Sequence, residues 1–303
     1  MMIVKNRNIF FAITGLLVLA SLASVAVFGL HESLEFTGGT LAQVSYPDIR
    51  PAPTLLGQAL DGAGIKGYSI REAGQHDYIV RMPNLSEMQR SSIPEILSGG
   101  DQYRGAIAQF NEIGPTIGKE LRTKSLLAIS LVLLCILLFI AFAFRKVSQP
   151  VSSWVYGLIA LVTLLHDVIV PVGFFALLGY LTGAQVDTLF VTAVLTVLGF
   201  SIHDTIVVFD RVRENLRVNH DRNRKEPFEE TAGRALNQTF VRSVNTSFTV
   251  LLTLLILYFL GPASTRDFAL TLLVGIIAGT YSSICLATPL LVAIERWRGQ
   301  KRK

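Results

Sequence analysis

Charge is what this chain has least of. Asp, Glu, Lys and Arg make up 16% of its 303 residues and hydrophobic residues 51%, where an ordinary soluble domain carries roughly 25% charge. The apolar residues are gathered in runs rather than dispersed, which excludes a simple soluble enzyme. Cysteine is nearly absent: Cys135 and Cys285 both fall inside apolar runs, so they build no disulfide framework and read as inert packing residues. A nucleotide loop is missing as well. The segment Gly114-Pro-Thr-Ile-Gly118-Lys119-Glu120 places three residues between its glycines where a phosphate loop needs four, and Glu where magnesium needs Ser or Thr. Its Gly-Pro pair reads instead as the end of a strand and the start of a helix. No His-Glu-X-X-His pattern occurs, so no cofactor, no metal and no catalytic residue is expected.

What is present is six apolar runs that approach or exceed the roughly 20 residues needed to cross a hydrocarbon core of about 30 Å. They are Ile9 to Leu30, Ser125 to Phe144, Ser152 to Tyr180, Asp187 to Asp210, Thr239 to Leu260, and Asp267 to Ile294. The net charge of +5 then reads as topology rather than as affinity for nucleic acid. With the N-terminus inside, sixteen Lys and Arg fall on the cytoplasmic side: Lys5, Arg7, Arg145, Lys146, seven between Arg211 and Arg234, and five between Arg296 and Lys303. The two short outer connections hold only Arg266. Both termini are therefore expected in the cytoplasm, with residues 295–303 as a basic tail. The first run reads as a retained span, since its 22 residues exceed the apolar region of about 7 to 15 in a signal peptide, although Ser24-Val25-Ala26 also fits a cleavage site. Either way residue 31 onward lies outside. Segment 211–238, with seven basic and five acidic residues and Phe228 as its aromatic, reads as a solvated amphipathic helix beside the membrane, not a nucleic-acid site.

Residues 31–124 form the one large polar insert, with nine Lys and Arg against eleven Asp and Glu. Alternation and turn chemistry predict a strand (Phe36 to Tyr46, bent at Gly38 and Gly39), a helix (Pro53 to Ala63) and two strands (Tyr68 to Ala73, Tyr78 to Met82). A second helix (Leu85 to Leu97) and a last strand (Gly105 to Glu112) follow. That order is βαββαβ, a ferredoxin-like arrangement. The fold class is thus a polytopic α-helical membrane protein, with six transmembrane helices and one α+β extracytoplasmic domain. Residues 1–30 form the N-terminus and first helix, and residues 125–294 the other five.

Ionisable residues inside spans are expensive in hydrocarbon and face a bundle interior or a water-filled path. His166 and Asp167 sit mid-way along the third span, and His203 and Asp204 about 9 Å inside the cytoplasmic end of the fourth. In the fifth, Arg242 and Thr246 at i, i+4 share one helix face at a depth matching Asp204. A carboxylate on one helix is therefore expected to face a guanidinium and a hydroxyl on its neighbour. Such a set can carry protons, with Asp204 neutral when protonated and ionised when paired with Arg242. It can equally be a static buried pair, and Asp210 lies near enough in depth to be the resting partner of Arg242. Each His-Asp dipeptide projects its two side chains about 100° apart and so offers one inward ligand more readily than two. In the last span Gly275 and Gly279 make a small-residue face for close packing, within the bundle or against another subunit.

These motifs together resemble the SecF family of the bacterial Sec export machinery, relatives of the resistance-nodulation-division transporters. The resemblance rests on Glu35-Phe-Thr-Gly-Gly-Thr40, Ile113-Gly-Pro-Thr-Ile-Gly-Lys-Glu-Leu121 and His166-Asp167. It continues through Leu198-Gly-Phe-Ser-Ile-His-Asp-Thr-Ile-Val-Val-Phe-Asp-Arg211, Asn237-Gln-Thr-Phe-Val-Arg-Ser-Val-Asn-Thr-Ser247 and Gly279-Thr-Tyr-Ser-Ser283. It implies an inner-membrane subunit paired with SecD and working with the SecYEG channel and accessory Sec subunits. Such a subunit uses the proton gradient to draw unfolded polypeptide outward. It also implies proton-linked roles for Asp204, Arg242 and Thr246. His203 stands where the family favours Asn, which adds a second titratable group beside Asp204. Ser243-Val244-Asn245 stands where Thr-Ile-X is more usual. The rival readings are a subunit of a proton-driven small-molecule exporter and a passive membrane scaffold.

Overall fold

The computed structural model describes residues 2–99, 103–145 and 151–301. Lys146, Arg302 and Lys303, counted above among the cytoplasmic charges, lie outside the described residues. The chain divides into two compact units, Met1–His31 with Leu127–Lys303, and Glu32–Leu126. In chain order, α1 (Met2–Lys5) and α2 (Arg7–Phe28) precede the smaller unit. That unit runs α3 (Leu34–Thr37), β1 (Gly39–Ser45), α4 (Pro53–Gly62), β2 (Ser69–Ala73), β3 (Asp77–Met82), α5 (Glu87–Ser98), β4 (Ala106–Ile113). After it come α6 (Pro115–Ala143), α7 (Ser153–Thr182), α8 (Thr188–Asp221), α9 (Phe228–Leu260), α10 (Arg266–Ser282) and α11 (Thr288–Lys301).

The smaller unit is a four-stranded antiparallel sheet in the order β2-β3-β1-β4. Alternation along β1 and β3 sends Ala42, Val44, Tyr78, Val80 and Met82 to one face, where Leu56 and Leu60 of α4 and Ile93 and Leu97 of α5 cover them. The Tyr46 hydroxyl donates to the Leu97 carbonyl at 2.6 Å, tying the sheet to α5. At the start of α5, Ser86 and Gln89 form a capping box. The elements fall within a residue or two of the predicted ones, with one difference. Leu34–Thr37 is a helical turn, not the start of a strand: Ser33 caps it and Gly38, at φ +73°, stops it. Gly118 on α6 then lies against this turn, where a Cβ would come 2.8 Å from the Gly38 nitrogen and 2.9 Å from the Phe36 carbonyl oxygen. Two of the sequence motifs are thus two sides of one backbone contact.

The helices α2, α6, α7, α8, α9 and the stretch Arg266–Arg298 are each long and apolar enough to cross a membrane, and all but the first part of α6, up to Leu126, lie in the larger unit. Between 50% and 67% of the apolar windows of α7, α8 and the last stretch is buried, against 6% to 17% for α2, α6 and α9. The former three are therefore the centre and the latter the rim. Gly173 of α7 admits α2 so closely that a Cβ would meet the Ser21 Cα at 2.4 Å, and Ser24 donates to the Gly173 carbonyl at 2.7 Å. Between α10 and α11 the helix widens into a π turn, Ser283–Ala287. The predicted surface-lying helix over 211–238 is not separate. Nothing in Arg211 to His220 breaks a helix, so α8 continues to Asp221, and α9 starts at Phe228, just after Pro227.

Candidate functional site

Asp204, on the α8 face that packs against α9, is 4% exposed. The groups acting on it are the hydroxyls of Ser243 and Ser247 and the side chains of His203 and Arg242. Both serines are buried, one helical turn apart on α9. Among the described residues neither Asp204 Oδ2 nor Ser243 Oγ has a hydrogen-bond partner, so the pocket holds polar atoms with unused capacity. Ser247 Oγ accepts from Thr280 Oγ1 of α10 at 2.6 Å, joining a third helix.

Arg242 and Thr246 do share a face, and Thr246 donates to the Arg242 carbonyl at 2.9 Å. That face is exposed rather than turned to Asp204. The next position along, about 100° round the helix, is the one that meets the carboxylate. Arg242 lines a cleft of about 330 Å³ with Asp210, Glu214, Gln238 and Thr239. Asp210 is exposed and pairs with Arg213 at 3.2 Å. His203 is exposed beside buried Asp204.

A second polar cluster lies at the centre of the bundle. Asp167 is fully buried and His166 is 3% exposed. Asp167 Oδ1 is 2.8 Å from His166 Nδ1, while Oδ2 accepts from Ser282 of α10 at 2.8 Å and from Ser201 of α8. Gly279 brings these helices together, since a Cβ there would lie 2.9 Å from the Ser201 Cβ. Gly275 does the same one turn away against Val197, so both glycines serve packing inside the bundle. One turn further, Thr205 and Ser283 join at 2.9 Å where the π turn begins. Ser201, Ser282, Ser243 and Ser247 are the residues that sequence reasoning missed. Their signal is weak, because a serine in a span more often closes on its own helix backbone. Among the described residues no three His, Cys, Asp or Glu side chains converge to hold a metal.

Six membrane-capable helices, a small extramembrane sheet and ionisable groups buried between the central helices define a multi-pass membrane protein with intramembrane polar sites. Residues 96–297 match the family model described as protein export membrane protein SecD/SecF, C-terminal. The chain belongs to this SecD/SecF family. It is 42% identical to the protein translocase subunit SecF of Thermobaculum terrenum, over 97% of this chain and 93% of that one. Against the SecF of Pseudomonas aeruginosa it is 36% identical, covering 94% and 89%. It also superposes on the crystal structure of SecDF, a translocon-associated membrane protein from Thermus thermophilus, with a TM-score of 0.80 at 33% identity. That match covers 97% of this chain and 38% of the longer SecDF chain.

Proposed function

We propose that this chain is the SecF subunit of a bacterial inner-membrane Sec translocase, pairing with SecD and using the proton motive force to assist late steps of export through SecYEG. In this reading residues 31–124 are a ferredoxin-like domain on the outer side, and both termini are cytoplasmic, as the Lys and Arg distribution favours. The observation that carries the coupling is Asp204: a carboxylate buried between two spans, with Oδ2 lacking a hydrogen-bond partner among the described residues and two serine hydroxyls beside it. Ionised, it needs donors that Ser243 and Ser247 supply by rotating; protonated, it becomes a donor itself. Each state sets a different hydrogen-bond pattern between α8 and α9. Arg242, in the adjacent cleft, supplies the positive charge that favours the ionised state, and Thr246 fastens the turn that carries it.

The test is export of a model secreted protein into vesicles containing this chain with SecD and SecYEG, with and without a proton gradient. Gradient stimulation in the wild type and its loss in Asp204→Asn at matched protein level is the expected result. Equal stimulation of both makes Asp204 structural, and no stimulation of the wild type removes the coupling altogether.

A further inference from the structure

The His166–Asp167 dyad is buried deeper than Asp204 and plays no part in the coupling described above. Both carboxylate oxygens are held: His166 Nδ1 lies at Oδ1, and hydroxyls from α8 and α10 lie at Oδ2, with Ser282 also 3.0 Å from the Gly279 carbonyl oxygen. Donors on both oxygens suit an ionised carboxylate, which only accepts. None of these partners carries a positive charge while the imidazole is neutral, so the dyad then holds one net negative charge inside the bundle, and an isolated buried charge is costly. One proton removes that charge. The imidazole offers a place for it. His166 Nε2 is buried without a hydrogen-bond partner among the described residues, and a neutral imidazole that donates from Nδ1 keeps its lone pair there. Protonation at Nε2 displaces none of these contacts.

We propose that the His166–Asp167 dyad is a second proton-binding site of this chain, taking the proton at His166 Nε2 and holding it as an imidazolium paired with the Asp167 carboxylate. Among the described residues, no competing charge is in contact with it. From α8 comes Ser201, with Asp204 turned to α9 and His203 exposed. From α10 come Ser282 and the Tyr281 ring, centred 6.1 Å from the imidazole. The Tyr281 phenol is fixed to α2 through the Phe10 carbonyl at 3.1 Å and Thr14 at 3.2 Å. Protonation at the dyad therefore acts where α2, α7, α8 and α10 meet. This second site serves coupling only if the proton-linked function proposed above holds, but its proton binding stands on the geometry alone.

Nitrogen NMR of the full chain in lipid vesicles, labelled with ring-15N histidine, reads the protonation state directly. One histidine should carry hydrogen on Nδ1 alone at high pH and on both nitrogens at low pH, and this signal should vanish in His166→Gln. Asp167→Asn should weaken proton binding at His166 by about tenfold or more. Ser201→Ala, which keeps the carboxylate but removes one donor from it, should strengthen proton binding and provides the test should Asp167→Asn fail to fold. A His166 signal that stays in one state from about pH 4 to 9, or a midpoint that neither variant moves, overturns the proposal. Asp204→Asn should leave this titration in place even as it removes gradient-driven export, so the two proposals fail separately.

Discussion

At Gly275 there is no room for a side chain, because a Cβ would sit 2.3 Å from Val197 Cγ2 on the facing helix. Overfilling a packed contact of this kind costs about 1 to 3 kcal/mol. Gly275→Ala should therefore lower the thermal midpoint of the detergent-solubilised protein, and Val197→Ala in the same chain should recover much of the loss. A double mutant as unstable as the single one would place the strain elsewhere. The small-residue face itself was legible, because glycines at i, i+4 in a span have few other uses. Its partner was not. The same limit governs the ionisable residues. Counting positions inward from a span's end gives depth, and Asp204 and the turn Arg242–Thr246 do lie level; rotation about the helix axis depends on packing that no single helix encodes. One position of α9 separates Arg242, on the exposed surface, from Ser243, buried beside Asp204.

Short apolar runs between turns, and capped helices, were the elements the chain announced. β3, with Tyr78-Ile79-Val80 apolar throughout, buries every second residue, and α5 opens on its capping box; both appear where expected. The cytoplasmic ends of α8 and α9 were harder to read, since their mixed charge fits any solvated helix. What closes that connection is a cluster no pattern reveals. Asn219 donates to Glu226 at 2.6 Å and to Thr231 at 3.0 Å, and Arg234 reaches the same Glu226 oxygen at 2.6 Å. Burial alone raises the Glu226 carboxyl, but the hydrogen bonds from Asn219 and Thr231 and the charges of Arg234 and Arg224 outweigh it and hold it below the usual glutamate value. A depressed carboxyl stabilises the folded form above its unfolded pKa of about 4.3, and that contribution disappears as pH falls through the lower folded value. Glu226→Gln should thus speed hydrogen exchange in the connection a few-fold at neutral pH, an effect under about 1 kcal/mol for a pair this exposed. It should also flatten the acid dependence that the wild type has. An exchange pattern unchanged by the substitution would leave the closure to Pro227 and the packing of Phe228 and Ala232.

Across the whole molecule, the rim helix α9 poses a problem that the chain does not solve alone. Phe240, Val241, Phe248, Leu252 and Ile256 are exposed on it, as suits a lipid-facing surface. Arg242, Asn245 and Thr246 are exposed on it too. A threonine in hydrocarbon satisfies itself against its own helix, as Thr246 does. A guanidinium has no such bond to its own helix; near a helix end it snorkels toward water, and away from water it is costly. The SecDF chain of Thermus thermophilus is matched over 38% of its length, so in that relative the matched part belongs to a longer polypeptide. Under the proposed pairing with SecD, the partner's helices cover the polar stripe of α9 and enclose the cleft between Arg242 and Asp210. Thr246→Trp then tests the stripe as an interface: the indole fits a lipid-facing position but not a packed one between helices. The variant should accumulate and fold as the wild type does while co-purifying with less SecD, whereas Phe259→Trp, further along the same helix and 69% exposed, should leave SecD recovery unchanged. Undiminished recovery with both would mean that the stripe faces water or lipid, and that Arg242 reaches an aqueous path without help from a second subunit.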